Sequence, residues 1–459
     1  MTEASDDYDE AETRDRADAV YEALLARTGE GSPRPRLAPT RRTVELLGDP
    51  HRAAPVIHIT GTNGKTSTSR MIESLLRASG LRTGLLTSPH LERFTERIRI
   101  DGAPISDEAV ARNWEEIVPF VAIVDAELEA AGDEPLTYFE ALTVLAFACF
   151  ADAPVDVVVL EVGMGGEWDS TNVADGLVAV FTSIDLDHQS RLGNTITEIA
   201  RTKSGIIKPM AAVVSAKQRE AVLEVLEEAA ELTESRLAVE GDAFDVLDSR
   251  VAVGGQLVTI RGLAGEYREI ALPLFGRHQA ENASVAIAAV ESFIGGGAVR
   301  LADDVVETGI GAAASPGRFQ PIATDPTVIV DAAHNPHGAE ALVAALDEYF
   351  DFEELVFVFG VLADKDADAM VQTLARTGGA FIVTRPDSER SRDVDELAGL
   401  VAARVGADRV QAVERLDDAL DEARAWAAEA PKRAVVVTGS ILLVGEAMTI
   451  AADRGWGRA

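Results

Sequence analysis

Cysteine is almost absent, with Cys149 the only one in 459 residues. No disulfide can close within the chain, so a reducing compartment is implied and the cytoplasm is the expected location. Cys149 falls in an apolar run, 141–151, where a small buried hydrophobe is expected rather than a nucleophile. Lysine is nearly as scarce. It occurs only at Lys65, Lys203, Lys208, Lys217, Lys365 and Lys432, and arginine supplies the rest of the 42 basic residues. Against these stand 77 acidic side chains, giving a formal net charge of −35. Such a balance repels nucleic acid and anionic membranes, so neither is expected as a partner. It also suits a halophilic setting, where salt screens self-repulsion. No uncharged apolar stretch approaches the ~20 residues that span a bilayer. The first dozen or so residues are acidic, the reverse of the basic start of a secretory signal.

What is present is a globular chain, 47% apolar and long enough for two domains. Residues 1–15 read as a frayed acidic tail, followed by a helix over 17–26 and a proline-rich break at 32–39. Strands are predicted at 56–59, 155–160 and 178–183, and a helix at 66–79. Val157, Val158 and Val159 follow one another without a polar residue, which suits a central strand buried on both faces. Strands alternate with helices, the pattern of an α/β fold with a mostly parallel sheet. After glycine-rich breaks near 295 and 317 the alternation restarts, with strands at 328–330, 355–359, 380–384 and 434–438. The expectation is an N-terminal P-loop ATPase-like domain over 1–314. A smaller, doubly wound, Rossmann-like α/β domain follows over 315–459.

The segment Thr60-Gly-Thr-Asn-Gly-Lys-Thr-Ser67 lies between a predicted strand and a predicted helix. Glycines let backbone N–H groups face phosphate oxygens, and a helix N-terminus adds partial positive charge. Asn63, Gly64, Lys65, Thr66 and Ser67 are therefore nucleotide-binding candidates. Lys65 suits the outer phosphates, and the hydroxyl of Thr66 or Ser67 suits magnesium. The usual six-residue glycine spacing fails, because Ile59 stands where a glycine would. A chance Gly-Lys-Thr in a plain strand–turn–helix is the bland alternative. The second glycine and the flanking elements weigh against it.

Further strings follow in order: Thr87-Ser-Pro-His-Leu91, Glu96-Arg-Ile98, Leu160-Glu-Val-Gly-Met-Gly-Gly166, Leu186-Asp-His188 and Lys203-Ser-Gly-Ile-Ile-Lys-Pro209. Gly276-Arg-His-Gln279, Pro316-Gly-Arg-Phe319, Asp331-Ala-Ala-His-Asn-Pro336, Asp364-Lys-Asp366 and Val437-Thr-Gly-Ser440 complete the series. Together they resemble the folylpolyglutamate synthase/dihydrofolate synthase family, a branch of the Mur ligases. The likeness covers roughly 36–446.

The resemblance implies a monomeric ligase that activates a carboxylate with ATP as an acyl phosphate and joins it to the amine of L-glutamate. The acceptor would be a folate or dihydropteroate. It implies two magnesium ions, with potassium a further candidate. Ser88, Glu161, His188 and Lys203 would hold metal, Lys203 after carbamylation, with Thr66 alongside. Lys65, Lys203 and His188 would be catalytic. Asn282 would meet the adenine and Arg318 the phosphates, while Asp331 and His334 would reach the nucleotide. Thr137, Trp168 and Asp169 would face the pterin. Where the family reads Arg-Leu before that aspartate, this chain has Glu167-Trp168. A Mur-type ligase acting on another carboxylate or peptide precursor is the rival reading, and a nucleotide-binding regulator a more distant one.

Overall fold

The computed structural model describes residues 3–29 and 34–456. Part of the proline-rich break, 30–33, and the first two residues of the expected tail lie outside the described residues. The chain divides into two compact units. One comprises Met1–Asp248, Val258–Ala271 and Glu281–Ala313, the other Ser249–Leu257, Leu272–Ala280 and Ala314–Ala459. This differs from a single cut at 314/315, because two short stretches before residue 281 cluster with the second unit.

The first unit is built on eight strands: β1 (Val56–Thr60), β2 (Thr83–Leu86), β3 (Ile98–Ile100), β4 (Ala103–Pro104), β5 (Val157–Glu161), β6 (Gly176–Phe181), β7 (Ala212–Ser215) and β8 (Arg236–Val239). They form one sheet in the order β4-β3-β2-β5-β1-β6-β7-β8. From β2 to β8 every neighbouring pair is parallel, and only the β2–β3 and β3–β4 pairs are antiparallel. All five residues of β1 and of β5 are buried, as the apolar runs predict. Helices α1 (Glu3–Leu25), α2 (Ala38–Leu46), α3 (Lys65–Ala78), α4 (Asp107–Ala130) and α5 (Tyr138–Asp152) precede β5. One core cluster joins Ala17, Val20 and Leu24 of α1 to α4, α5, Val158 and Leu160. Each such fully buried Val or Leu contributes on the order of 1.5–3 kcal/mol.

The acidic tail expected over 1–15 is instead part of α1 from Glu3 onward. Alanine, glutamate and arginine are good helix formers, and a helix anchored by Ala17, Val20 and Leu24 extends cheaply toward its N-terminus. After β6 come α6 (Gln189–Leu192), α7 (Ile196–Ser204) and α8 (Glu220–Leu232). Ile199, Val222 and Leu226 of α7 and α8 pack with Phe181 and Val213 in a second core cluster. Cys149 is buried in α5, and burial pushes its thiol up, out of the reactive range.

A small sheet in the order β11-β10-β9 follows, from β9 (Asp245–Ala252), β10 (Gly255–Arg261) and β11 (Glu266–Leu272). Then come α9 (Arg277–Gly295) and α10 (Asp303–Gly311). The second unit carries β12 (Gln320–Thr324), β13 (Thr327–Asp331), β14 (Glu354–Phe359), β15 (Ala380–Val383), β16 (Val410–Ala412) and β17 (Arg433–Thr438). Their order is β12-β13-β17-β14-β15-β16, parallel except for the β12–β13 pair. Helix α11 (Pro336–Tyr349) starts just after β13. No helix among the described residues is long and apolar enough to cross a membrane.

Candidate active site

β1 lies between β5 and β6, so three parallel strands deliver their C-terminal ends to one place. Ligand sites in α/β sheets form at such ends. Thr60 closes β1, and its hydroxyl donates to the Gly165 carbonyl at 2.7 Å, tying the loop after β1 to the loop after β5. Gly61 has φ +154°, and a Cβ there would lie 1.8 Å from Thr182 Oγ1. Gly64 has φ +85°, and a Cβ there would lie 2.5 Å from Asn282 Oδ1. Both positions therefore demand glycine, and Asn282 is brought against the turn. Helix α3 begins at Lys65, so the N–H groups of its first turn have no intrahelical acceptor. That arrangement suits phosphate oxygens.

Two lysines converge on the Gly61 carbonyl. Lys65 Nζ donates to it at 3.2 Å and to the Thr62 carbonyl at 3.1 Å, while Lys203 Nζ from α7 donates at 2.7 Å. Lys203 is buried, and burial, reinforced by the nearby Lys65 charge, lowers its pKa to about 7. Around them a pocket is lined by Gly163, Met164, Asp187 and His188 together with Lys65 and Lys203. His188 sits in the left-handed region at φ 50°, with Nε2 3.7 Å from Asp187 Oδ2.

Glu161 ends β5 fully buried, and Oε1 accepts a hydrogen bond from Thr66 Oγ1 at 2.8 Å. A buried carboxylate paired with a hydroxyl fits magnesium, which takes one or two protein oxygens and completes its shell with water and phosphate. Among the described residues no three or more His, Cys, Asp or Glu side chains gather into a metal cage. An unmodified Lys203 amine, directed at a carbonyl, is a hydrogen-bond donor and not a ligand. Ser88 is half-buried in the loop after β2. Arg70, one turn along α3 from Thr66, drew no attention in the sequence. Burial lowers its pKa, with Arg99 and Glu161 among the charges acting on it. The four-residue spacing from Thr66 was the available signal.

Thr137 and Asp169 have local partners that the sequence did not reveal. Thr137 caps α5, its hydroxyl accepting from Glu140 N at 3.3 Å. Asp169 is buried and accepts from Met164 N at 2.9 Å, Thr171 N at 3.0 Å and Thr171 Oγ1 at 2.5 Å. Burial raises its pKa against these bonds. Both side chains thus hold loop backbone. Trp168 is partly buried against the cluster that contains Leu192 and Ile206.

In the second unit Asp331 ends β13 buried, accepting from Phe319 N at 2.8 Å and from Ala333 N at 2.9 Å. Burial pushes its carboxyl up, and the Arg318 charge opposes this. Arg318 Nη1 and His334 Nδ1 each lie 3.0 Å from the Ala332 carbonyl. These three side chains are gathered around the β13–α11 turn.

A parallel α/β sheet with a glycine turn opening onto a helix, a lysine in that turn and a buried carboxylate on the adjacent strand define a phosphate-binding-loop nucleotide enzyme. Residues 59–290 match the Mur ligase middle domain, and 317–441 match the Mur ligase glutamate ligase domain. The chain is 44% identical over 437 residues to dihydrofolate synthase/folylpolyglutamate synthase of Mycobacterium tuberculosis, covering 91% of this chain and 90% of that one. It is 37% identical over 414 residues to a probable bifunctional folylpolyglutamate synthase/dihydropteroate synthase of Haloferax volcanii, covering 89% of this chain and 47% of the relative. The solved Mycobacterium tuberculosis folylpolyglutamate synthase, complexed with ADP and AMPPCP, superposes with a TM-score of 0.90 at 43% identity, over 97% of this chain and 99% of that one. The chain belongs to the folylpolyglutamate synthase/dihydrofolate synthase family of the Mur ligase superfamily.

Proposed function

We propose that this chain uses ATP to activate the carboxylate of a folate or of dihydropteroate and joins it to the amine of L-glutamate. The observation that carries the reading is the pair of lysines on the Gly61 carbonyl, beside the Thr66–Glu161 pair. A carboxylate is a poor electrophile. Transfer of the γ-phosphoryl group turns it into an acyl phosphate, which the glutamate amine then attacks with loss of phosphate. In this scheme the α3 N-terminus and Lys65 hold the phosphates, where preorganised cations and N–H groups favour the charge that develops during transfer. Asn282, beside Gly64, is assigned to the adenine, which its position next to the phosphate turn supports. Arg318 and His334 are assigned to the nucleotide by the family resemblance, and Asp331 serves by shaping their turn. His188 lines the same pocket as the lysines.

Bound magnesium would supply Lewis-acid stabilisation of phosphate oxygens, held by Glu161, Thr66, Ser88 and His188. The lowered pKa of Lys203 favours the neutral amine, the form that carbon dioxide converts to a carbamate. A carbamylated Lys203 would add one more carboxylate-like ligand. Trp168 is the candidate to stack on a pterin, with Thr137 and Asp169 shaping the loops around it. The Mycobacterium tuberculosis relative's name pairs dihydrofolate synthase with folylpolyglutamate synthase, which supports both dihydropteroate and folate as acceptors. The acid-rich, lysine-poor composition supports work at high salt in the cytoplasm.

The test is ADP release by purified protein with glutamate in high salt, comparing dihydropteroate, dihydrofolate and tetrahydrofolate. Stimulation by at least one is expected. No response to any of them would remove the folate assignment and leave the Mur-type alternative.

A further inference from the structure

Helix α1 and Arg36 precede the matched family region, which begins at residue 59. They are nonetheless fastened to two loops of the site. At the first, Tyr21 stacks on Phe94 with ring centroids 5.1 Å apart and planes 5° apart, and its hydroxyl lies 3.4 Å from His90 Nε2. On its other side His90 Nδ1 accepts from Arg97 Nε at 2.7 Å. A guanidinium N–H can only donate, so in the neutral ring the proton sits on Nε2, toward Tyr21. His90 is two residues from Ser88. Asp18 of α1 adds an ion pair with Arg93 at 3.7 Å.

At the second loop, Arg27 Nη1 donates to the Leu136 carbonyl at 2.9 Å, and the Thr28 carbonyl accepts from Tyr138 N at 2.9 Å. Arg36 grips Glu140 with both arms of its fork, Nε and Nη2 each at 2.9 Å, and also donates to the Pro135 carbonyl at 2.9 Å. The same Glu140 carboxylate accepts from Thr137 N at 2.7 Å. A bidentate arginine sets both distance and orientation, which a lysine does not. The loops that carry Ser88 and Thr137, far apart in sequence, are thus both bonded to residues that precede α2.

We propose that α1 and Arg36 form a brace that sets the placement of the Ser88 and Thr137 loops, with Tyr21 a positioning residue for the Ser88 loop and Arg36 for acceptor binding at the Thr137 loop. The metal role of Ser88 and the acceptor role of the Thr137 loop rest on the folate-ligase reading above. The brace acts on geometry, so loosening at Arg36 should be felt by the acceptor and loosening at Tyr21 by the metal, while the loop after β1 is held by separate bonds to Gly165 and Ser183.

Two mild variants test this in the full-length protein. Tyr21→Phe removes one hydroxyl and keeps the stack. Arg36→Lys keeps the charge and loses the fork. Arg36→Lys should raise the acceptor KM by about tenfold with the ATP KM little changed. Tyr21→Phe should raise the magnesium concentration for half-maximal rate by about the same factor with the acceptor KM little changed. Neither should move the melting temperature much. In Arg36→Lys, equal rises in acceptor and ATP KM with a fall in melting temperature would overturn the brace, as would an unchanged acceptor KM there or an unchanged magnesium requirement in Tyr21→Phe. Amide hydrogen exchange on the ligand-free protein decides the matter without any reaction. Faster exchange confined to 87–93 in Tyr21→Phe and to 134–140 in Arg36→Lys supports the brace, whereas unchanged or chain-wide exchange sinks it. If no folate stimulates the wild type, the folate reading fails while the exchange result still judges the brace.

Discussion

The loop after β1 and the turn after β13 both follow a buried parallel strand, yet their polar side chains are used differently. After β1, two lysines crowd one carbonyl, and burial with mutual repulsion drives Lys203 toward neutrality. That is an arrangement under electrostatic stress, which an anion would relieve. After β13, Asp331 accepts two main-chain N–H groups while Arg318 and His334 meet one main-chain oxygen. Those groups are mutually satisfied. The contrast teaches that motif residues of equal prominence in the sequence can be left under electrostatic stress in one place and be engaged with the backbone in another.

The sharpest way to break this comparison is Lys65→Ala. ADP release should fall by about 10²–10³-fold, the scale for losing one preorganised charge stabiliser, with little change in melting temperature. Turnover near wild type would sink the mechanism. Next is the pH dependence of stability. The folded pKa of Lys203, about 7, lies below its ordinary value of 10.5. Between those values the unfolded chain binds more protons than the folded one, so stability should rise with pH from about 7 toward 10.5. Lys203→Met, compared by thermal melts in carbon dioxide-free buffer, should flatten that rise. An identical pH profile would contradict the buried, unmodified amine.

In the second unit, Asp331→Ala leaves two buried N–H groups without their acceptor, and should cost about 1–3 kcal/mol of unfolding free energy by denaturant titration. An undiminished midpoint would mean that the turn does not depend on it. The smallest effect concerns the whole surface: melting temperature should climb modestly with added salt as the charge of −35 is screened. A salt-independent melt would remove the halophilic reading.

Much of the architecture was legible because it rests on short-range pattern. Val157 to Val159 announced a central strand, and Gly61, Gly64 and Lys65 announced a phosphate turn. The extent of α1 was missed because its acidic residues resemble a disordered tail, while the anchors that hold it, Val20 and Leu24, act through α4 and α5. The two stretches that cluster with the second unit were missed because their partners lie far along the chain. That Thr137 and Asp169 also order their own loops is not legible, because a sequence does not tell which oxygens nearby N–H groups engage.

By itself, then, the sequence determined the α/β class, the phosphate turn and the family, since these depend on residue type at fixed local spacing. Tertiary structure alone decided that Lys203 reaches, across 142 positions, the Gly61 carbonyl that Lys65 also meets, and that Thr66 and Glu161 meet across 95. The reason is physical. Charge coupling and desolvation fall off steeply with distance in space, and only the folded sheet brings these strand ends within a few ångströms of one another.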